Sequence, residues 1–521
     1  MNSISDKIIK NTFFNTVGNF SVTFLHLLLI PYIMLKLGSN RFGIWALVSV
    51  IFGIFTTLDF GGASSLVKFF SEYEAKKDKQ SFNEALVSGF VMMSFFSGVL
   101  LVLFLFMLGN LLSFFNIPQQ LLNEARFVFL SAGILFAFNN SFGVFQAVIK
   151  GLQRMEITNF INIVGSIFFA LSIIVVLGLG YGLKGLIFVQ GAKIILINLA
   201  SIFYAKKLNN DLAFRLSFLR LEQLKRIFHY GLRMQVSNIA NLVNLQTDKT
   251  LIGFFLSLSF VAFYEIGQKV SLFCRMVVGV FLAALVPAVS ELDSKDKPES
   301  ISKLYEKGSK YLAAIAFPIM IFLIVFSHDL ISIWMGTGFD RSILVVRLLV
   351  LGVAVNTLTG VGVMIVRGVG KPVYETRYAL ISLILNIGLG LMLVKPYGFV
   401  GIVVATPIST VIGSLYFIFT FHKLYSISLL NFVKKAYLKP FALSVGLALS
   451  VFYLSELITA RIIIESRMES LTLFLINGLF FSVSFLFLLG KSGFWDREDE
   501  SLFTEKVRAY PRIYKLVSRL V

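Results

Sequence analysis

Long apolar runs fill this chain, and short polar stretches interrupt them at nearly even intervals. The run from Ser94 to Leu108 holds no charged residue. A helix that crosses a bilayer needs about 20 mostly apolar residues. On that measure the pattern predicts about fourteen transmembrane helices. Their limits lie near 12–36, 42–66, 82–108, 123–148, 157–179, 184–205, 231–255, 260–287, 309–327, 343–366, 376–394, 400–422, 437–457 and 470–490. The first run begins too late, and is followed by too many others, to be a cleaved signal peptide.

The polar stretches set the orientation. One alternate set of loops holds Lys68, Lys76, Lys77 and Lys79, then Lys150 and Arg154, Lys206 to Arg233, Lys295 to Lys310, Arg367 to Arg377, and Lys423 to Lys439. With the two ends of the chain, that side carries roughly 34 of the 47 basic residues, against about nine on the other. Positive charge stays on the cytoplasmic side, so both termini are expected there. Four basic residues, Lys193, Lys249, Lys269 and Arg275, fall inside spans.

Internal repeats add an architecture. Lys150-Gly-Leu-Gln-Arg154 recurs as Arg367-Gly-Val-Gly-Lys371, offset by 217. Tyr181-Gly-Leu-Lys-Gly185 recurs as Tyr397-Gly-Phe-Val-Gly401, offset by 216, and Ser71-Glu-Tyr-Glu-Ala-Lys76 as Ser290-Glu-Leu-Asp-Ser-Lys295, offset by 219. Three matches at nearly one offset point to a duplication. The offset holds six spans, an even number, so the halves run parallel. The expected fold is an all-α polytopic membrane protein with two parallel six-helix lobes around a central cavity and two C-terminal helices. The division is an N-lobe over 1–206, an amphipathic cytoplasmic linker over 207–230 and a C-lobe over 231–423. Added helices over 424–490 and a basic cytoplasmic tail over 491–521 complete it. The linker's pattern of Phe214, Leu216, Phe218, Leu219, Leu221, Leu224 and Ile227 between basic residues suits a membrane interface.

Composition narrows the class. The chain is 57% hydrophobic and 14% charged, with a mean hydropathy of +0.84, more apolar than water tolerates. The net charge of +19 sits in short loops beside apolar runs, which fits anionic lipid head groups rather than nucleic acid. The single cysteine, Cys274, and four histidines predict no disulfide framework and no metal site. No phosphate-binding loop or other enzyme motif stands out, so neither catalysis nor a cofactor is expected.

Candidate chemistry lies in the buried charges, which are costly in a membrane. The outer turn between the seventh and eighth spans centres on Ser257 to Ser259. Counting away from it at the helical rise puts Asp248, Lys249, Glu265 and Lys269 about 10–17 Å below the outer surface. Lys193 lies at similar depth in the other lobe, and Arg275 lies deeper. Lys193, Lys249, Lys269 and Arg275 are therefore candidates to hold an anionic head group such as a diphosphate. Asp248 and Glu265 would balance charge or carry a coupling ion. A plainer reading pairs Glu265 with Lys269 one turn along the same helix. Asp59 either lines the cavity floor or caps a break at two glycines. His26, mid-span, either titrates or packs.

Several segments carry a resemblance. Leu37-Gly-Ser-Asn-Arg-Phe-Gly-Ile-Trp-Ala-Leu47 followed by Leu58-Asp-Phe-Gly-Gly-Ala-Ser-Ser-Leu-Val-Lys68 resembles the opening of Wzx-type polysaccharide-repeat flippases. Gln246-Thr-Asp-Lys-Thr-Leu-Ile-Gly253 with Val261-Ala-Phe-Tyr264, and Lys150-Gly-Leu-Gln-Arg154, resemble the same family. It belongs to the multidrug/oligosaccharidyl-lipid/polysaccharide superfamily. The resemblance implies export of an undecaprenyl-diphosphate-linked oligosaccharide across the bacterial inner membrane, for O-antigen, capsule or exopolysaccharide. It implies alternating access coupled to an ion gradient, and places Asp248 and Lys249 at the head group. Expected partners are that lipid-linked sugar, membrane lipids and other polysaccharide-assembly membrane proteins. Two rivals stay open. A drug or cation antiporter of the same superfamily would want net acidic charge in its cavity. A membrane polysaccharide polymerase or ligase would want a sizeable outer loop.

Overall fold

The computed structural model describes residues 4–57, 62–283, 298–460 and 466–496, with single positions 285, 289 and 499. Among them every regular element is helical and no strand occurs. Lipid offers no hydrogen bonds, so a spanning segment must satisfy its own backbone, which a helix does. In chain order the helices are α1 Ile4–Thr57, α2 Gly62–Lys76, α3 Lys79–Phe114, α4 Gln119–Gly151, α5 Met155–Gly178 and α6 Gly182–Leu208. After them come α7 Leu221–Phe255, α8 Leu258–Ala283, α9 Pro298–Val325, α10 Ser327–Met335, α11 Asp340–Thr357 and α12 Gly360–Gly368. The last four are α13 Val373–Leu424, the short α14 Leu429–Val433, α15 Lys439–Thr459 and α16 Arg467–Lys491.

Among the described residues nine helices are long and apolar enough to cross a membrane, or ten if α11 and α12, bent by 45°, form one crossing. The expected count of fourteen differs for two visible reasons. The long helices α1 and α13 each continue through one glycine of non-helical torsion, Gly38 (φ 74°, ψ 167°) and Gly398 (φ 55°, ψ −128°). Each therefore holds two predicted spans. The spans expected near 231–255 and 260–287 fall on α7 and α8, the charge-bearing helices, which are not among the nine.

The chain forms two compact units, Met1–Glu265 with Gly390–Ile402, and Ile266–Leu389 with Val403–Val521. In the first, Leu66, Phe70, Phe82 and Val148 are wholly buried where α2, α3 and α4 meet. The segment between α6 and α7 docks on α3. Asn83 donates to the Asp211 carbonyl at 3.0 Å and accepts from the Ala213 amide at 2.9 Å. Ser88 accepts from the Arg220 amide at 3.1 Å. Phe214, Leu216 and Leu221 on the same segment stay exposed. In the second unit the last two helices are joined by Asn477, which donates to Ser455 at 2.8 Å. A polar bond of this kind fixes helix register where lipid supplies no hydrophobic contrast.

Two of the three repeated motifs fold alike; the copy at 290–295 lies outside the described residues. The amides of Leu152, Gln153 and Arg154 bond the carbonyls of Val148, Lys150 and Ile149. At the offset of 217, those of Val369, Gly370 and Lys371 bond the carbonyls of Ile365, Arg367 and Val366. Each turn ends its helix through one left-handed residue, Gln153 (φ 60°) or Gly370 (φ 72°). Gly182 and Gly398, offset by 216, share φ values of 58° and 55°.

Candidate functional site

Three of the charges expected inside the membrane, Asp248, Lys249 and Glu265, lie together where α7 returns as α8. Only Leu256 and Ser257 separate the two helices, so residues equally far from that turn meet side by side. Lys249 Nζ donates to Glu265 Oε2 at 2.9 Å, with side chains 4% and 5% exposed. The Tyr264 hydroxyl donates to Asp248 Oδ2. Burying a charge without a partner costs several kcal/mol per ion, and here a lysine and a carboxylate answer each other across the turn. Gln246 Oε1, buried nearby on α7, has no hydrogen-bond partner among the described residues.

A second group lies among α1, α5 and α6. Lys193 Nζ is 3.3 Å from His26 Nε2 and 4.8 Å from the centre of the Phe169 ring. The His26 ring itself lies 5.7 Å from Phe169. A lysine ammonium has only donors, so a charged Lys193 would meet a neutral imidazole through its Nε2 lone pair. The aromatic face adds cation–π attraction, about 0.5–2 kcal/mol by environment. At that contact Lys193 thus meets an imidazole and an aromatic face rather than a carboxylate. Lys193→Met is expected to lower polysaccharide export several-fold at normal membrane levels of the protein. Equal export would remove Lys193 from the site.

Lys269 and Arg275 are half-buried on α8, in the second unit. Asp59 lies outside the described residues. Arg41, at the turn inside α1, pairs with Glu124 at 2.8 Å.

One polar feature escaped the reading of charges. Asn139, Gly143, Gln146 and Lys150 recur at helical spacing on α4 and line a cavity of about 500 Å³ with Ser64 of α2 and Met93 of α3. Asn139 accepts from Asn198 of α6 at 3.2 Å, and Asn140 donates to Ser97 at 2.6 Å. The signal was present as a polar stripe of period 3.6 within an apolar span. Neutral amides carry no charge, so a search for charges passed over them.

The fold superposes on the inward-closed lipid II flippase MurJ with a TM-score of 0.69 at 15% identity, covering 93% of this chain and 99% of that one. It superposes on an inward-facing multidrug resistance transporter of the MATE family with a TM-score of 0.67 at 14% identity, covering 79% and 94%. At such identities the likeness establishes the fold alone. The chain belongs to the polysaccharide biosynthesis protein family, whose pattern it matches over residues 8–293, more than half its length. A Shigella flexneri protein provisionally named an O-antigen transporter is 22% identical over 418 residues, 78% of this chain and 96% of the relative. The resemblance read from the Leu37 and Gln246 segments is borne out at the level of the family.

Proposed function

We propose that this protein moves a lipid-linked oligosaccharide, carried on undecaprenyl diphosphate, from the cytoplasmic to the outer leaflet of a bacterial inner membrane. It supplies repeat units for a surface polysaccharide and works by alternating access driven by an ion gradient, as a transporter rather than an enzyme. Both termini face the cytoplasm, as the bias of Lys and Arg among the loops supports.

The observation that carries this reading is the sign of the charge inside the spans. Four basic side chains stand there against Asp59, Asp248 and Glu265. A diphosphate bearing sugars cannot cross about 30 Å of hydrocarbon without desolvation that fixed positive charge offsets. A cationic drug would be repelled by the same balance, which disfavours the antiporter although its fold is nearly as close. The lipid tail needs no aqueous path and can remain in the bilayer.

Deletion of the gene followed by lipid analysis is the direct test. Lipid-linked repeat units are expected to accumulate on the cytoplasmic face. Unchanged lipid intermediates together with altered drug sensitivity would favour the antiporter instead.

A further inference from the structure

A second basic site lies in the second unit, away from the α7–α8 turn. The start of α9, the start of α15 and the chain just after α16 meet there and enclose a cavity of about 570 Å³. Its wall carries Lys303, Lys307, Lys310, Lys434, Lys435 and Lys439. The first three lie at i, i+4 and i+7, one face of α9. The others come from a π-helical turn, Lys434–Leu438, and the residue after it. Such turns are rare and concentrate at functional sites.

Most of these lysines have assigned work. Lys310, buried, donates to Asp496 at 3.3 Å and to Asp499, and lies 5.0 Å from the Phe494 ring. Tyr311 also donates to Asp499. Burial raises the Asp499 pKa, but its bonds from Lys310, Tyr311 and the Asp496 segment outweigh it and hold the carboxyl below the usual range. This knot ties the segment after α16 against α9 and makes one wall of the cavity. Lys439 Nζ donates to the Ser492 and Gly493 carbonyls at 2.7 and 3.0 Å, closing the end of α16. Lys435 pairs with Glu306 at 3.3 Å. Lys303 and Lys434 are exposed and make no ion pair or hydrogen bond among the described residues. Against six lysines stand Glu306, Asp496 and Asp499, so the site holds an excess of positive charge.

Its surroundings carry exposed apolar side chains. Leu438, Phe441 and Phe487 are exposed beside it at 51%, 50% and 40%. Apolar surface next to converging ammonium groups suits an amphiphile with a phosphate at its head, and basic pockets at helix ends are recognised places for anionic lipid heads. The volume falls within the usual range for a small-molecule site.

We propose that this pocket holds the phosphate head group of an anionic membrane phospholipid, whose acyl chains lie along α15 and α16. The proposal stands apart from the transport reading and does not depend on the cargo.

The test uses the full chain purified in detergent, with native mass spectrometry of retained phosphatidylglycerol and phosphatidylcholine. Lys303→Gln with Lys434→Gln touches no internal bond, so folding should persist, checked by an unchanged melting curve. Phosphatidylglycerol retention is expected to fall about tenfold or more, since each interfacial lysine contributes appreciably to anionic-lipid binding. Phosphatidylcholine retention should not change. Equal phosphatidylglycerol retention by the double variant and by Lys303→Glu with Lys434→Glu overturns the proposal. Binding of inorganic pyrophosphate by a sample that retains no phosphatidylglycerol overturns the lipid assignment.

Discussion

Lys249→Met is expected to abolish polysaccharide export and to lower the melting temperature of the purified protein. The substitution leaves Glu265 buried opposite an apolar side chain, 8 residues beyond the turn. Breaking one side of a buried pair costs about 3–5 kcal/mol. That is a large fraction of the 5–15 kcal/mol by which a folded domain ordinarily survives. The informative variant is the double one, Lys249→Met with Glu265→Met. Removing both charges together is often neutral for stability, so melting should return close to the starting value. Export should not return, because the role proposed for Lys249 at the cargo's head group would still be unfilled. Full export by the double variant would show that the pair serves only to hold α7 against α8. Export is measured as surface polysaccharide in a complemented deletion strain with equal protein in the membrane.

Gly43→Val is expected to prevent accumulation of folded protein. A Cβ at this position would stand 2.1 Å from the Leu258 carbonyl oxygen and 2.7 Å from its carbon. Both are backbone atoms, so no rotamer change relieves the contact, and α1 must part from the start of α8. Overpacking a fitted core costs about 1–3 kcal/mol even where side chains can yield, and backbone cannot. The same segment explains itself at two further positions. Gly38 adopts φ 74°, ψ 167°, a conformation essentially confined to glycine and worth about 1–3 kcal/mol of strain elsewhere. Arg41 pairs with Glu124 but is 45% exposed, so its replacement by alanine should cost no more than about 1 kcal/mol. Membrane levels and gel-filtration profiles should therefore rank Gly43→Val worst and Arg41→Ala mildest. A monodisperse Gly43→Val protein with unaltered melting would contradict this account of the turn.

Much of this fold is legible because lipid is a severe solvent. It demands long apolar helices and sends basic residues to one side, and both demands leave marks that need no neighbours to read. The placing of Asp248, Lys249 and Glu265 at one level beside the α7–α8 turn was legible for a related reason. They lie at similar distances either side of one short turn, and a helix rises by a constant step. The glycine turns were legible as repeats at one offset, and their torsions supply the reason glycine recurs at 182 and 398.

Partner choice was not legible. The sequence offered Glu265 a lysine one turn along its own helix, at 269. Tertiary packing sets Lys249 of the preceding helix against it at 2.9 Å. His26 and Lys193 lie 167 residues apart, and no local pattern ties an imidazole on α1 to an ammonium on α6. The lysines at 303–310 and 434–439 read as ordinary loop charge on the cytoplasmic side, because their sequence neighbourhoods are all that sequence displays. Only the return of the chain after α16, pinned by Lys310, Asp496 and Asp499, gathers them round one cavity. The sequence by itself determined that this protein lives in a membrane as a bundle of helices, because hydropathy and charge are properties of each segment alone. The structure decided which charges answer each other, because that depends on distances between segments far apart in the chain.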